Sequence, residues 1–193
     1  MSKLLWSALL LVASLGAASS SAVAVTWHNT GATAFTATSG PFTLSSTGAA
    51  FNCTGSTSTG TAPGGANVGT VYSMTMTTTF SGCSLSNVAI GWDCADRFTA
   101  TSQSGAVTSG TLDVTCGMYE FGAKICHLGG SVSATYTNPV SGVGVLSLAT
   151  GGNLIFSNGT SGTCILGNGD RAHLSAVTRR TTSASPPVIT RTA

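Results

Sequence analysis

Apolar and polar residues alternate along this chain with a period of two, and the period of a helix is nearly absent. The clearest case is the run in which Tyr72, Met74, Met76, Thr78 and Phe80 alternate with Ser73, Thr75, Thr77 and Thr79. This predicts a strand with one apolar and one hydroxylated face. The same period places Val88, Ile90, Trp92 and Cys94 on one face of a second strand, and Leu112, Val114, Cys116 and Met118 on one face of a third. Cys94 and Cys116 are therefore expected to point inward. Further strands are predicted around Trp27 and over 35–38, 42–45, 51–54, 97–101, 125–128, 132–138, 143–148, 154–157, 172–178 and 188–190. No window carries apolar residues at helical spacing, and Gly, Ser or Thr interrupts the chain every few residues. The pattern predicts an all-β fold, an antiparallel β-sandwich or irregular barrel of many short strands. Segment 55–69, with Pro63 and many small residues, reads instead as a mobile surface loop.

The two ends add a compartment. Lys3 is followed by an apolar run from Leu4 to Ala18, then Ser19–Ser21 and the small residues of Ala22-Val23-Ala24. This is the layout of a cleavable export signal over 1–24, cut before Val25, and the run is shorter than a membrane span requires. Residues 25–193 then form a single domain, secreted or displayed at the cell surface, with no later stretch apolar enough to span a membrane. Loss of Lys3 lowers the formal net charge from +2 to +1. With basic residues this sparse and only Arg179-Arg180 adjacent, nucleic acid is not an expected partner. A nearly neutral surface favours association with copies of itself or with other surface molecules.

An even cysteine count in an exported chain predicts three disulfides among Cys53, Cys83, Cys94, Cys116, Cys126 and Cys164. A three-residue turn at Glu120-Phe121-Gly122 would set Cys116 opposite Cys126. A hairpin centred near Ser104-Gly105 would set Cys94 opposite Cys116 equally well. Spacing does not choose between them; the favoured set joins Cys53 with Cys83, Cys116 with Cys126 and Cys94 with Cys164. The motif Phe-Thr-Ala-Thr-Ser at 35–39 recurs at 98–102, each copy the same distance before a cysteine, which hints at a duplicated strand-turn-strand unit.

Candidate chemistry is thin. No Gly-x-Ser-x-Gly elbow and no Cys-x-x-Cys pair occurs. His28, His127 and His173 are read as structural or surface residues, Asn168-Gly169-Asp170 as a turn, and Asp93 and Asp96 as local partners of Arg97. Lys124, the sole lysine after cleavage, is expected opposite Met118 near the hairpin turn. No catalytic residue, metal site or cofactor is expected. For a sugar or small ligand, Trp27 and Tyr119 are the surface candidates, since Trp92 is in phase with the core.

The runs Thr108–Cys116, Ile125–Leu128, Tyr136–Pro139 and Gly159–Cys164, with the ending Pro186–Ala193, resemble a family of uncharacterised exported, cysteine-containing all-β proteins of high-GC Gram-positive bacteria. The likeness spans most of residues 25–193 and brings no activity with it. The expected function is a structural or interaction module outside the cytoplasm, acting through self-association or on other surface proteins or glycans. Carbohydrate or small-ligand binding is the alternative, and a hydrolase of unrecognised type a third. The strands around Trp27 and Val188 are the expected free edges for pairing with a neighbour.

Overall fold

The computed structural model describes residues 25–159, 164 and 166–192. The export signal expected over 1–24 lies outside the described residues. No helix among those described is long and apolar enough to cross a membrane. All regular structure is strand: β1 (Thr26–Asn29), β2 (Ala34–Ser39), β3 (Phe42–Ser46), β4 (Ala49–Cys53), β5 (Gly55–Thr61), β6 (Gly65–Gly69), β7 (Ser73–Ser81), β8 (Ser84–Leu85), β9 (Val88–Ala89), β10 (Gly91–Ser104), β11 (Val107–Glu120), β12 (Ala123–Val140), β13 (Val143–Leu148), β14 (Gly151–Asn158), β15 (Arg171–Leu174), β16 (Val177–Thr181) and β17 (Ile189–Thr192).

Eight of these close into an antiparallel barrel in the order β11-β10-β7-β5-β2-β16-β13-β12, with β12 returning to β11. Closure removes the free edges that an open sheet of this length would present. The alternation read from sequence sets its inside and outside. Met74, Met76 and Thr78 of β7 are buried while Thr75, Thr77 and Thr79 are exposed. Trp92, Cys94, Asp96 and Phe98 of β10 point inward, as do Leu112, Val114, Cys116 and Met118 of β11.

Strand β12 is long enough to serve two sheets. Its later half, Ala134–Thr137, pairs with β13 inside the barrel, whereas Cys126–Ser131 pairs with β14. From β14 a side sheet runs through β15, β3, β4, β8 and β9. Aromatic rings fill the space between this sheet and the barrel wall, with Phe42 against Phe80 at 4.9 Å and Phe51 against Trp92 at 5.5 Å. Their near-perpendicular planes are a favoured ring geometry. Gly130, at φ 137°, lies at the branch, and a Cβ there would collide with the Asn153 carbonyl.

Several expectations are corrected. Segment 55–69 contains β5 and β6, and β5 lies within the barrel wall between β2 and β7. Its small residues are what let it do so: a Cβ at Gly60 would sit 2.5 Å from Phe35 and 2.8 Å from Met76 side-chain atoms. Ser56 and Ser58 turn inward to hydroxyl partners Ser39 and Thr78. Phe35–Ser39 and Phe98–Ser102 are not copies of one unit. The later run belongs to a hairpin with the strand of Cys116, whereas β2 pairs with β5 and β16, away from the strand of Cys53.

The disulfides are Cys53–Cys83, Cys94–Cys116 and Cys126–Cys164. Two therefore differ from the favoured set. The turn after β11 has two residues, Phe121 and Gly122, because Glu120 faces Ala123. A bulge at Ile125 follows, so Cys126 comes opposite Met118 and Cys116 opposite Leu128. Lys124 faces Tyr119 for the same reason, and Met118 is not its partner. Cys94 and Cys116 are direct cross-strand neighbours, with Cα atoms 4.0 Å apart.

The first and last described strands pair in a three-stranded sheet, β17-β1-β6. It is tied to the barrel where Tyr136 Oη donates to the Pro187 carbonyl at 2.7 Å and the Gln103 and Asn138 amides donate to the Ile189 carbonyl at 2.6 Å. The strand of Trp27 is therefore central rather than a free edge, although β17 keeps one side open.

Candidate functional site

Among the described residues, the barrel interior contains one ion pair. Arg179 Nη1 donates to Asp96 Oδ2 at 2.7 Å, with the two side chains 4% and 0% exposed. Thr78 Oγ1 donates to the same carboxylate oxygen at 2.8 Å, and Ser58 Oγ lies 2.9 Å from Thr78 Oγ1. Strand phase explains both charges: Asp96 continues the inward series Trp92, Cys94, and Arg179 lies between inward Val177 and Thr181. The expected Asp96–Arg97 partnership is thus replaced, since neighbours on one strand face opposite sides. Continuing the period of two by one residue would have exposed this signal. Beside Arg179 and Ser56 is a cavity of about 20 Å³, otherwise walled by apolar side chains. It is of a size for one water and far below that of a ligand pocket.

The larger concavity is on the outside. A trough of about 620 Å³ crosses β5, β7, β10 and β11, and a second of about 300 Å³ continues it to β12. Register builds them in rows. Thr59, Thr77, Ala95 and Thr115 lie side by side, as do Thr61, Thr75, Arg97 and Asp113. A third row runs Thr79, Asp93, Gly117 and His127. Ala95 and Gly117 give the floor little height, and threonines form the sides. Five strands at about 4.8 Å separation make the trough about 19 Å across.

Tyr119 and Lys124 close one end. A Cβ at Gly117 would lie 2.5 Å from Lys124 Cε and 3.0 Å from the Tyr119 ring, so both side chains fold down over bare backbone. Lys124 Nζ is 5.7 Å from the ring centroid. The chemistry of the trough is hydroxyl-rich and balanced in charge, with Asp93 and Asp113 set against Arg97 and Lys124. Thr61 and Thr75 bond each other at 3.0 Å, and Thr79 donates to Asp93 at 3.5 Å.

Of the two residues expected to contact ligand, the structure keeps Tyr119 at this surface and removes Trp27. Trp27 is 2% exposed, packed on Tyr72 with Arg191 over its ring, because its strand sits between β17 and β6. The three histidines occupy separate elements. His28 bonds Thr192 at 2.9 Å, and His173 lies on β15 beside Ser45. His127 and Asp93 flank Gly117 two strands apart, with Tyr119 and Lys124 folded between them. That separates base from acid, whereas a catalytic triad needs hydrogen-bond contact. Cys94, Asp96 and Cys116 cluster closely, but the two sulfurs are joined to each other and the carboxylate to Arg179. Sequence reasoning missed the threonine rows, because alignment across strands is a property of register. Compared with known protein families, curated proteins and solved structures, the chain matches none of them.

Proposed function

We propose that this chain acts outside the cytoplasm as a binding module that takes a neutral, polyhydroxylated ligand, an extended polysaccharide strand, along the outer trough. The observation that carries this is the trough itself: in-register threonines, an aromatic ring at one end, and balanced charge over a continuous concave surface. Threonine is stiff at χ1, so its hydroxyls are held in place before binding. Charge balance favours a neutral polymer over nucleic acid or an anionic one. The apolar run Leu4–Ala18 followed by Ala22-Val23-Ala24 supports export with cleavage before Val25. Three disulfides are compatible with an oxidising, extracellular location. Outward threonines with Asp93, Arg97 and Asp113 are the reverse of a lipid-facing barrel surface.

The test is calorimetric titration of the exported protein with cellohexaose, chitohexaose and laminarihexaose. At least one is expected to bind, and Ala95→Trp, which fills the floor from the outside, is expected to weaken it roughly ten-fold or more. Absence of binding to all three, or full binding by Ala95→Trp, would overturn the reading.

A further inference from the structure

The hairpin that joins β11 to β12 carries a residue its own turn disfavours. Phe121 and Gly122 have φ of 47° and 81°, so both central positions are left-handed. Two-residue turns of this kind take Asn, Asp or Gly there, and a bulky aromatic is an outlier. Elsewhere the chain keeps to small or polar residues, with Ser86 and Asn87 at 49° and 69° and Ser141 and Gly142 at 53° and 81°. Phe121 gains nothing from packing, being 97% exposed. A side chain that is both strained and unburied points to a contact outside the chain.

Its place in the chain says where that contact lies. Phe121 begins the turn directly after β11, whose outward residues Asp113, Thr115, Gly117 and Tyr119 form part of the trough, so the turn stands at the Tyr119 end of that surface. Tyr119 already lies over Gly117 with one face toward the sheet. We infer that Phe121 is a ligand-contacting residue, the terminal aromatic platform of the trough, against which a neutral polysaccharide stacks the sugar ring next beyond Tyr119. This assignment rests on the trough reading above. Sugar rings present apolar C–H faces, and an exposed aromatic at the tip of the hairpin that carries Tyr119 offers a second platform without charge.

The test uses Phe121→Asn, which relieves the turn and deletes the ring, with Phe121→Tyr as the conservative variant. Both are titrated with whichever hexasaccharide the wild type binds, and melted. Phe121→Asn is expected to melt at or above the wild-type temperature while its affinity falls about five-fold, and Phe121→Tyr to keep the affinity. Equal affinity of Phe121→Asn and wild type, with Ala95→Trp still defective, would overturn this assignment and leave the trough reading standing. A lower melting temperature for Phe121→Asn would also overturn it, since the aromatic would then serve the fold. Failure of the wild type to bind any of the three hexasaccharides would overturn both.

Discussion

Replacing Arg179 by methionine removes the cation bonded to the buried Asp96 while keeping an unbranched apolar stem. The carboxylate would then retain the Thr78 hydroxyl, 2.8 Å away, and lose the guanidinium at 2.7 Å. Removing one partner of a buried ion pair costs about 3–5 kcal/mol. Two features set the value here. Asp96 Oδ1 and Arg179 Nε have no hydrogen-bond partner among the described residues, so the intact pair is already incompletely compensated. Thr78 still solvates the charge that remains. The low end, about 3 kcal/mol, is therefore expected. With a urea slope of about 2 kcal/mol/M for a domain of this size, the unfolding midpoint should fall by about 1.5 M. The assay is equilibrium urea unfolding with all disulfides oxidised, on Arg179→Met, Asp96→Val and the double variant. The double variant is expected to recover to within about 1 kcal/mol of wild type, because an apolar pair leaves no charge stranded. A cost below about 1 kcal/mol for Arg179→Met, or a double variant that costs the sum of the two singles, would refute the account.

Other outcomes follow from the same structure. Replacing Cys94 and Cys116 together by serine opens a loop of 22 residues and should cost about 3.4 kcal/mol by chain entropy. Peptide mapping without reduction should recover Cys126 linked to Cys164, and a Cys116–Cys126 peptide would contradict the two-residue turn. Burial raises the phenols of Tyr72 and Tyr136 well above the ordinary range, with the charge of Tyr136 adding to the effect at Tyr72. Above about pH 10 the unfolded chain gives up these protons while the folded chain keeps them. Stability present below that pH should thus decline as pH rises, and two of the three phenols should ionise only as circular dichroism reports unfolding. Reversible titration of all three in the folded protein would count against this. Gly117→Ala should displace Tyr119 and Lys124, whose flexible ends meet the added methyl, so hexasaccharide affinity should fall with little change in melting temperature. Unchanged affinity would detach Tyr119 from the site.

Much of the fold was legible because burial in a sheet repeats every second residue. Tyr72–Phe80 and Leu112–Met118 show their inward faces directly. The same rule, carried from Cys94 to Asp96, would have placed the buried acid, but a carboxylate on an apolar face contradicts ordinary burial preference unless its cation is known. Arg179 is 83 positions further along. The β5 strand was illegible for a related reason. Ser, Thr and Gly at 55–61 match a loop in composition, and only the large side chains of Phe35 and Met76 above them make small residues the right ones. Trp27 was misjudged because its solvent exposure depends on a sheet that β1 forms with β6 and β17, strands distant from it in sequence.

Local sequence determined the all-β class, the alternating faces and the inward direction of Cys94 and Cys116, since each depends on steric preferences within a few residues. Only the tertiary structure decided which strands are neighbours, and with them the disulfide pairs, the Asp96–Arg179 contact and the alignment of threonines into a trough. Those features join residues distant in sequence. A change of one residue in a turn or bulge alters every cross-strand partner beyond it, as the Phe121–Gly122 turn does for Cys116 and Cys126.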